Sequence, residues 1–455
     1  MKLKLRSHHR GVGGLASILL CITAGVLLAC PPALAQPVDM HGKISAQYRL
    51  RTMDDESDED VYAYGLLDLG DPYKDKVSFH IFGRGAWDVD GDFDQDEAYV
   101  FDSIEDTYDD PASGRLYYAY LDVHRVKNIS LIRLGRQLVY ETPVTLYFDG
   151  ARVETAEVKE LANLKAGAYG GPPVHLYESY ENNTEEDMVY GAFVQARPWK
   201  GGRVRFDWTH ATDDYVYEDD EQDDDLYGVS VWQALHEYFR VRGRYTFYAD
   251  EARDATGWAT FYQPEWDLLV QGSYYELLDT EEVHALEFDP LYGSLFEYHP
   301  YWQARLMASK GFGENFMIEG GADMRRLKDE DDMSNFNHEF TRYWGTVYLL
   351  DLVEGFELSG TGEVWDSEDQ LEYIESWGAD LTYRRGRDIK ASIGSYYSLY
   401  EYDIYLDEEK TEVQTYYAKA RYRPETGFNF GASYEYEVDD FDDYQTVQVE
   451  LGYSF

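Results

Sequence analysis

The sequence predicts an all-β chain closed into a transmembrane, antiparallel, up-and-down barrel of about 18–22 strands, with no separate plug domain. Three observations predict it: a secretory leader, an apolar/polar alternation of period two, and a regular exchange of two kinds of connection. From Ile44 to Arg51 the chain reads Ile-Ser-Ala-Gln-Tyr-Arg-Leu-Arg, and the same rhythm returns from Val447 to Phe455. Bilayer hydrocarbon offers no hydrogen-bond partner to an open sheet edge, so a long chain of this kind is satisfied by a sheet that closes on itself, lipid outside and water inside.

Residues 1–35 read as a signal peptide. Lys2, Lys4, Arg6 and Arg10 give the charged start, Leu15 to Leu28 the apolar centre, and Ala33-Leu34-Ala35 a small-residue cleavage site. A lipoprotein reading competes, because Leu27-Leu28-Ala29 precedes Cys30, but Pro31 and Pro32 follow that cysteine directly. Cleavage after Ala35 leaves residues 36–455 as the barrel and removes both cysteines, Cys21 and Cys30, so no disulfide, thiolate metal site or covalent haem attachment is expected. Loss of the four basic residues of the leader takes the net charge from −48 to −52. That acidity excludes nucleic acid as a partner. With 43 Tyr, 21 Phe and 10 Trp the chain is too aromatic to be a disordered acidic polymer. Beyond the leader no run of 18 apolar residues occurs, which excludes helical spans.

Strand-like stretches of roughly nine to thirteen residues suit a tilted membrane crossing. One set of connections is short and rich in Gly, Pro or Lys: 70–76, 126–128, 198–202, 264–266, 310–315, 385–388 and 424–427. The other is acidic: 54–60, 88–110, 213–225, 279–287, 328–332, 366–372, 403–409 and 439–443. The two sets take turns, so the short turns are expected at the periplasmic end and the acidic loops outside. Region 149–170 fits this count least well.

Alternation assigns faces. Between Phe239 and Tyr248, Phe239, Val241, Gly243, Tyr245 and Phe247 share one side, and Arg240, Arg242, Arg244, Thr246 and Tyr248 the other. An arginine facing mid-bilayer lipid costs about 2–4 kcal/mol, so three in succession belong in the lumen. The same rule places Arg49, Arg51, His80, Arg84, Arg203, Arg205, Arg305, Arg384, Lys419, Arg421 and Arg423 inside, with Glu319, Asp323, Arg325, Glu357, Glu363, Glu435, Glu437 and Glu450. Basic ladders then dominate the first half and carboxylates the second. Two uses are open: pairing across strands to stiffen a hydrated wall, or guidance of an anion by guanidinium forks.

Asp88, Asp90, Asp92, Asp94 and Asp96, with Gly91 and Glu97, are dense enough in oxygen to bind Ca²⁺, or they form a solvated acidic loop; divalent ions bridging such loops to lipopolysaccharide would relieve self-repulsion. Tyr117, Tyr118, Tyr120, Tyr274, Tyr275, Tyr396, Tyr397, Trp232, Trp302, Trp344 and Trp377 suit an interfacial girdle, and inward members such as Tyr118 and Tyr120 suit sugar stacking. Gly311-Phe312-Gly313 reads as a turn. His175, His284, His299 and His338 lie near loops with no spaced partner, and no enzyme is expected.

The segment Leu131-Ile132-Arg133-Leu134-Gly135-Arg136-Gln137, followed by Phe148-Asp149-Gly150-Ala151-Arg152, resembles alginate-export-type outer-membrane porins, and Tyr117 to Val123 resembles a strand of that family. These stretches cover about a tenth of the mature chain. The resemblance implies an arginine-rich pore wall at Arg133, Arg136 and Arg152 and transport of anionic polysaccharide or other anions. Shorter outer loops, a higher strand count and extreme acidity depart from the family.

The expected function is a porin-like channel in the bacterial outer membrane, passing anionic solutes or an anionic polysaccharide, with membrane lipid, lipopolysaccharide and a periplasmic export component as partners. At 20–22 strands the bore is wide enough to need filling, which opens a second expectation: a sheath around a multihaem cytochrome in an electron conduit. At fewer strands a loop folded into the lumen, 88–110 or 141–149, suffices. A structural or adhesive surface barrel is the third class.

Overall fold

The computed structural model describes residues 39–53, 56–89, 112–174, 188–213, 222–279, 300–328, 339–367, 374–403, 408–438 and 443–455. Twenty-two strands form one sheet. They begin with β1 (Met40–Met53), β2 (Glu56–Leu69), β3 (Val77–Asp88), β4 (Ala112–Val126), β5 (Ile129–Val139) and β6 (Leu146–Thr155). Next come β7 (Lys165–Gly171), β8 (Met188–Ala196), β9 (Gly202–Asp213), β10 (Gln222–His236), β11 (Phe239–Tyr248) and β12 (Glu251–Gln263). After these come β13 (Leu268–Leu277), β14 (Tyr301–Phe312), β15 (Phe316–Leu327), β16 (Phe340–Val353) and β17 (Phe356–Ser367). The last are β18 (Ile374–Arg385), β19 (Ile389–Asp403), β20 (Glu408–Tyr422), β21 (Phe428–Val438) and β22 (Asp443–Ser454).

Consecutive strands pair, and β1 pairs antiparallel with β22 from Lys43↔Ser454 to Met53↔Tyr444, which closes the barrel. The count falls at the upper end of the expected range. Each short turn named from the sequence lies between two strands at one end of the barrel. Turns at Glu237–Tyr238 and Glu354–Gly355, and the reversal at Ala249–Asp250 opposite them, carry weaker composition signals. At Gly355 φ is +79°, and a Cβ would lie 2.4 Å from the Arg384 carbonyl oxygen, so glycine is what lets this two-residue turn close.

One correction concerns β2. Asp58 and Asp60, expected in an acidic loop, are buried within this strand on the same face as Tyr62. Tyr62 pairs with Ala86 and Tyr64 with Arg84, so this face looks into the lumen.

The opposite face of the sheet carries Leu116, Leu134, Val194, Phe206, Leu306, Ile318, Leu381, Ile393 and Leu451, large apolar side chains left exposed by the protein itself. A band of this kind is covered by acyl chains in a bilayer. Substituting Leu306, in the middle of β14, by Arg should destabilise the barrel by about 2–4 kcal/mol. The neighbouring lumen position, Met307→Arg, should cost much less. Reversible unfolding from lipid vesicles measures both, and equal costs would contradict the assignment of faces.

Candidate functional site

The lumen face of β9 to β12 concentrates positive charge. Arg203 lies opposite Trp232 and Trp232 opposite Arg242; Arg205 lies opposite Ser230 and Ser230 opposite Arg244. Arg240 follows on the same face of β11, opposite Ala234 and Thr260. Period-two alternation alone aligns these groups.

The segment between β5 and β6 folds into the bore and rests on this wall. Glu141 Oε2 accepts a 2.7 Å hydrogen bond from Arg205 Nη1, and Glu141 Oε1 lies 3.6 Å from Arg203 Nη2. Arg244 donates to the Thr142 carbonyl oxygen. Pro143 Cγ comes within 3.2 Å of where a Cβ on Gly228 would stand, so the wall has a glycine where the segment approaches closest. Beneath it Val139, Val144, Leu146, Phe148, Tyr169, Val189, Ala211 and Leu226 form a buried apolar cluster inside the barrel, with Tyr248 against it. Arg205, 2 % exposed, is also held by Asp207 at 2.7–3.0 Å. A charge this buried needs such pairing, because an isolated one would bear the full desolvation cost.

Elsewhere most lumen cations are neutralised. Arg49 Nε donates to Asp60 at 2.9 Å and Arg51 Nε to Asp58 at 2.6 Å. Arg133 forks onto Asp122 at 2.8 and 2.9 Å, and Arg152 Nε meets Glu154 at 2.8 Å. In the second half Arg342 pairs with Glu363, Arg384 with Glu357, Arg305 with Asp323 and Lys419 with Glu435. The expected division into a basic and an acidic half is therefore replaced by paired ladders all round. Asp122, Glu154 and Asp207, missed by sequence reasoning, share the lumen face with the cations they serve, and Asp68 shares it with His80. Among the described residues Arg240, Arg242, Arg421 and Arg423 have no carboxylate partner, and the Arg242 Nε is buried without a hydrogen bond. Arg421 and Arg423 sit at the turn end, as does Arg240 just past the Glu237–Tyr238 turn; Arg242 lies further along the wall, sharing Trp232 with Arg203. Arg84, on the lumen face of β3, lies opposite Arg115 and over the Tyr62 ring.

Arg136 departs from the expectation set by the family resemblance. It lies opposite Ala119 and Asp149, on the face shared with Leu134, and forks onto Asp149 at 2.9 and 2.7 Å. Arg133 and Arg136 are three residues apart, an odd separation, and on a strand they cannot share a face. The pair stands toward the loop end of β5 and β6, on the lipid side.

A second lumen cluster was not foreseen. Ser78 Oγ lies 2.9 Å from His80 Nε2 and 2.9 Å from His124 Nε2, and His80 Nδ1 lies 2.6 Å from Asp68 Oδ1. The connectivity is that of a hydrolytic triad, but Ser78 is 1 % exposed, so its hydroxyl ties β2, β3 and β4 together instead of meeting a substrate. Asp88 ends β3 opposite Asp60. Asp90, Asp92, Asp94 and Asp96, and His175, His284, His299 and His338, lie outside the described residues.

No protein-family model and no curated protein matches the chain, so the likeness of Leu131–Gln137 to alginate-export porins stands as a resemblance. Solved structures do match. The siderophore receptor PirA from Pseudomonas aeruginosa is 11% identical with a TM-score of 0.56, over 92% of this chain and 81% of that one. The copper transporter OprC is 9% identical with a TM-score of 0.53, over 93% and 81%. The P pilus usher (PapC) translocation pore is 8% identical with a TM-score of 0.50, over 91% and 99%. At these identities the likeness shows the fold. The chain has the closed β-barrel fold of these outer-membrane proteins.

Replacing Glu141 with Ala should release the infolded segment, since a hydrogen bond to a charged group contributes about 1.5–3 kcal/mol. A cysteine placed at Thr142 should resist a membrane-impermeant thiol reagent in the otherwise unchanged barrel and react once Glu141 is replaced. Equal labelling in both backgrounds would show that the segment is not held by this pair.

Proposed function

We propose that this barrel is a passive channel for anionic solutes, selected by guanidinium groups on the β9–β11 wall. The observation that carries this reading is the pair Arg240 and Arg242, which face the bore without a carboxylate partner among the described residues. A structural ladder has no use for unneutralised charge; a passing anion does. Low-dielectric walls focus such a field and raise the local concentration of the opposite charge. The net charge of −48 opposes entry, yet the field of the acidic loops is screened beyond about 8 Å at physiological ionic strength, so charges lining the bore decide selectivity. An anionic polysaccharide belongs to the same passenger class.

The width favours a second reading. Barrels near 22 strands normally hold a plug, and a multihaem cytochrome enclosed by this chain would fill the bore. A haem-staining partner recovered with the barrel from outer membranes would support the sheath, and its absence would remove that reading.

In planar bilayers the purified barrel should conduct with a reversal potential set by anions. Arg240→Gln with Arg242→Gln should cut the anion-to-cation permeability ratio several-fold. Cation preference in the unmodified barrel, or no change in the double variant, would overturn the proposal.

A further inference from the structure

On the lumen wall of β19 to β22, at the short-turn end, two cations stand directly opposite each other. Lys390 of β19 pairs with Arg421 of β20, and two residues further along Ser392 pairs with Lys419. These two rows continue on β21 as Gly431 and Ser433, and on β22 as Glu450 and Gln448. Like charges placed directly opposite on a sheet repel. The charges around them are matched: Arg384 Nε lies 2.9 Å from Glu357, Lys419 Nζ 2.6 Å from Glu435 and Lys43 Nζ 3.4 Å from Glu450. Lys390 and Arg421 have no carboxylate partner among the described residues, so the wall carries two positive charges in excess here.

We propose that the cavity beside this pair is a binding site for hydrogen phosphate, the inorganic dianion; this rests on the anion-channel reading above and names one passenger. The cavity measures about 300 Å³, and Lys390, Arg421, Ser392, Ser433, Gly431 and Glu450 all line it. Gly431 makes the room. A Cβ there would meet nothing nearer than the Glu450 Cβ at 3.5 Å, so the backbone tolerates a side chain, and its absence leaves the space beside Arg421 open.

The donors suit an oxyanion of charge minus two. The Arg421 guanidinium offers a planar fork, Lys390 a compact charge, and Ser392 and Ser433 hydroxyl groups that can donate. The acceptor decides which dianion. Glu450 turns Oε1 toward Lys43, whereas its Oε2 stands 3.8 Å from where a Cβ on Gly431 would be, on the cavity wall. An ionised carboxylate only accepts hydrogen bonds. Sulfate, an aliphatic dicarboxylate and an ionised phosphate ester also only accept, and this oxygen repels each of them. Hydrogen phosphate keeps one O–H at neutral pH; it donates that proton to Oε2 in a charge-assisted hydrogen bond and accepts from the cations through its other oxygens.

Equilibrium dialysis of the purified full barrel in detergent against radiolabelled phosphate at neutral pH tests the site without requiring conduction. Phosphate should bind saturably, and sulfate or succinate should displace it only at about tenfold higher concentration, the size of one hydrogen bond between charged groups. Lys390→Gln with Arg421→Gln should weaken phosphate binding about tenfold or more. Gly431→Leu should do the same by filling the cavity. Glu450→Gln, whose amide can donate, should bring sulfate level with phosphate. Arg385→Gln, which removes a guanidinium at the same end from the opposite face of β18, should leave binding unchanged. Absence of saturable binding, unchanged affinity in the double variant, or equal displacement by sulfate in the unmodified barrel would each overturn the site. Cation preference in planar bilayers would overturn the channel reading itself, whereas anion preference without saturable phosphate binding would overturn the site alone.

Discussion

Closure of the sheet between β1 and β22 is the constraint from which the rest follows. In hydrocarbon each backbone N–H or C=O left without a partner costs several kcal/mol. Among the described residues no helix is long and apolar enough to cross, so they can cross as a sheet only if its first and last strands pair, as they do here from Lys43 to Met53. Once the ring is closed, every side chain has only two directions. Residues such as Leu306 and Phe206 turn to lipid, and Arg205 and Arg244 are turned inward with no third choice.

Inside, burial and pairing decide what each cation does. Arg205 is buried and doubly held by Asp207 and Glu141, and its role is to anchor the segment that narrows the bore. Arg49, Arg133 and Arg342 stitch neighbouring strands together through carboxylates. Arg240 and Arg242 have neither duty, which separates them from residues of identical chemistry a few ångströms away. The infolded segment and its apolar cluster, seated on the β9–β11 wall, make the lumen asymmetric.

Much of this was legible in the sequence because a period of two needs no tertiary information. The faces of β11, the alternation of turns and loops, and the upper limit of the strand count all follow from it. What was illegible has identifiable causes. Ala249 adopts φ +48° and reverses the chain beside Asp250 without glycine or proline, so the hairpin between β11 and β12 carries no turn signal. Asp58 and Asp60 look like loop acids because charge density alone does not reveal that Arg49 and Arg51 wait on the next strand. The apolar character of Val144, Leu146 and Phe148 resembles a lipid-facing strand, whereas they pack inside under their own connection. The family likeness placed Arg136 in the bore, where its odd separation from Arg133 already argued against it. Ser78, His80, His124 and Asp68 meet only through the register of three strands, which no spacing along the chain encodes.

The claim beneath all of this is that β11 presents its arginine face to water and its Phe239, Val241 and Tyr245 face to lipid. Single cysteines carried through positions 239 to 248, each labelled with a fluorophore in vesicles, measure it directly. Lipid-attached quenchers should extinguish the odd positions and aqueous quenchers the even ones, in strict alternation except where the infolded segment covers the wall near Arg244. Quenching of positions 240 and 242 from the lipid, or a signal without period two, would contradict the account.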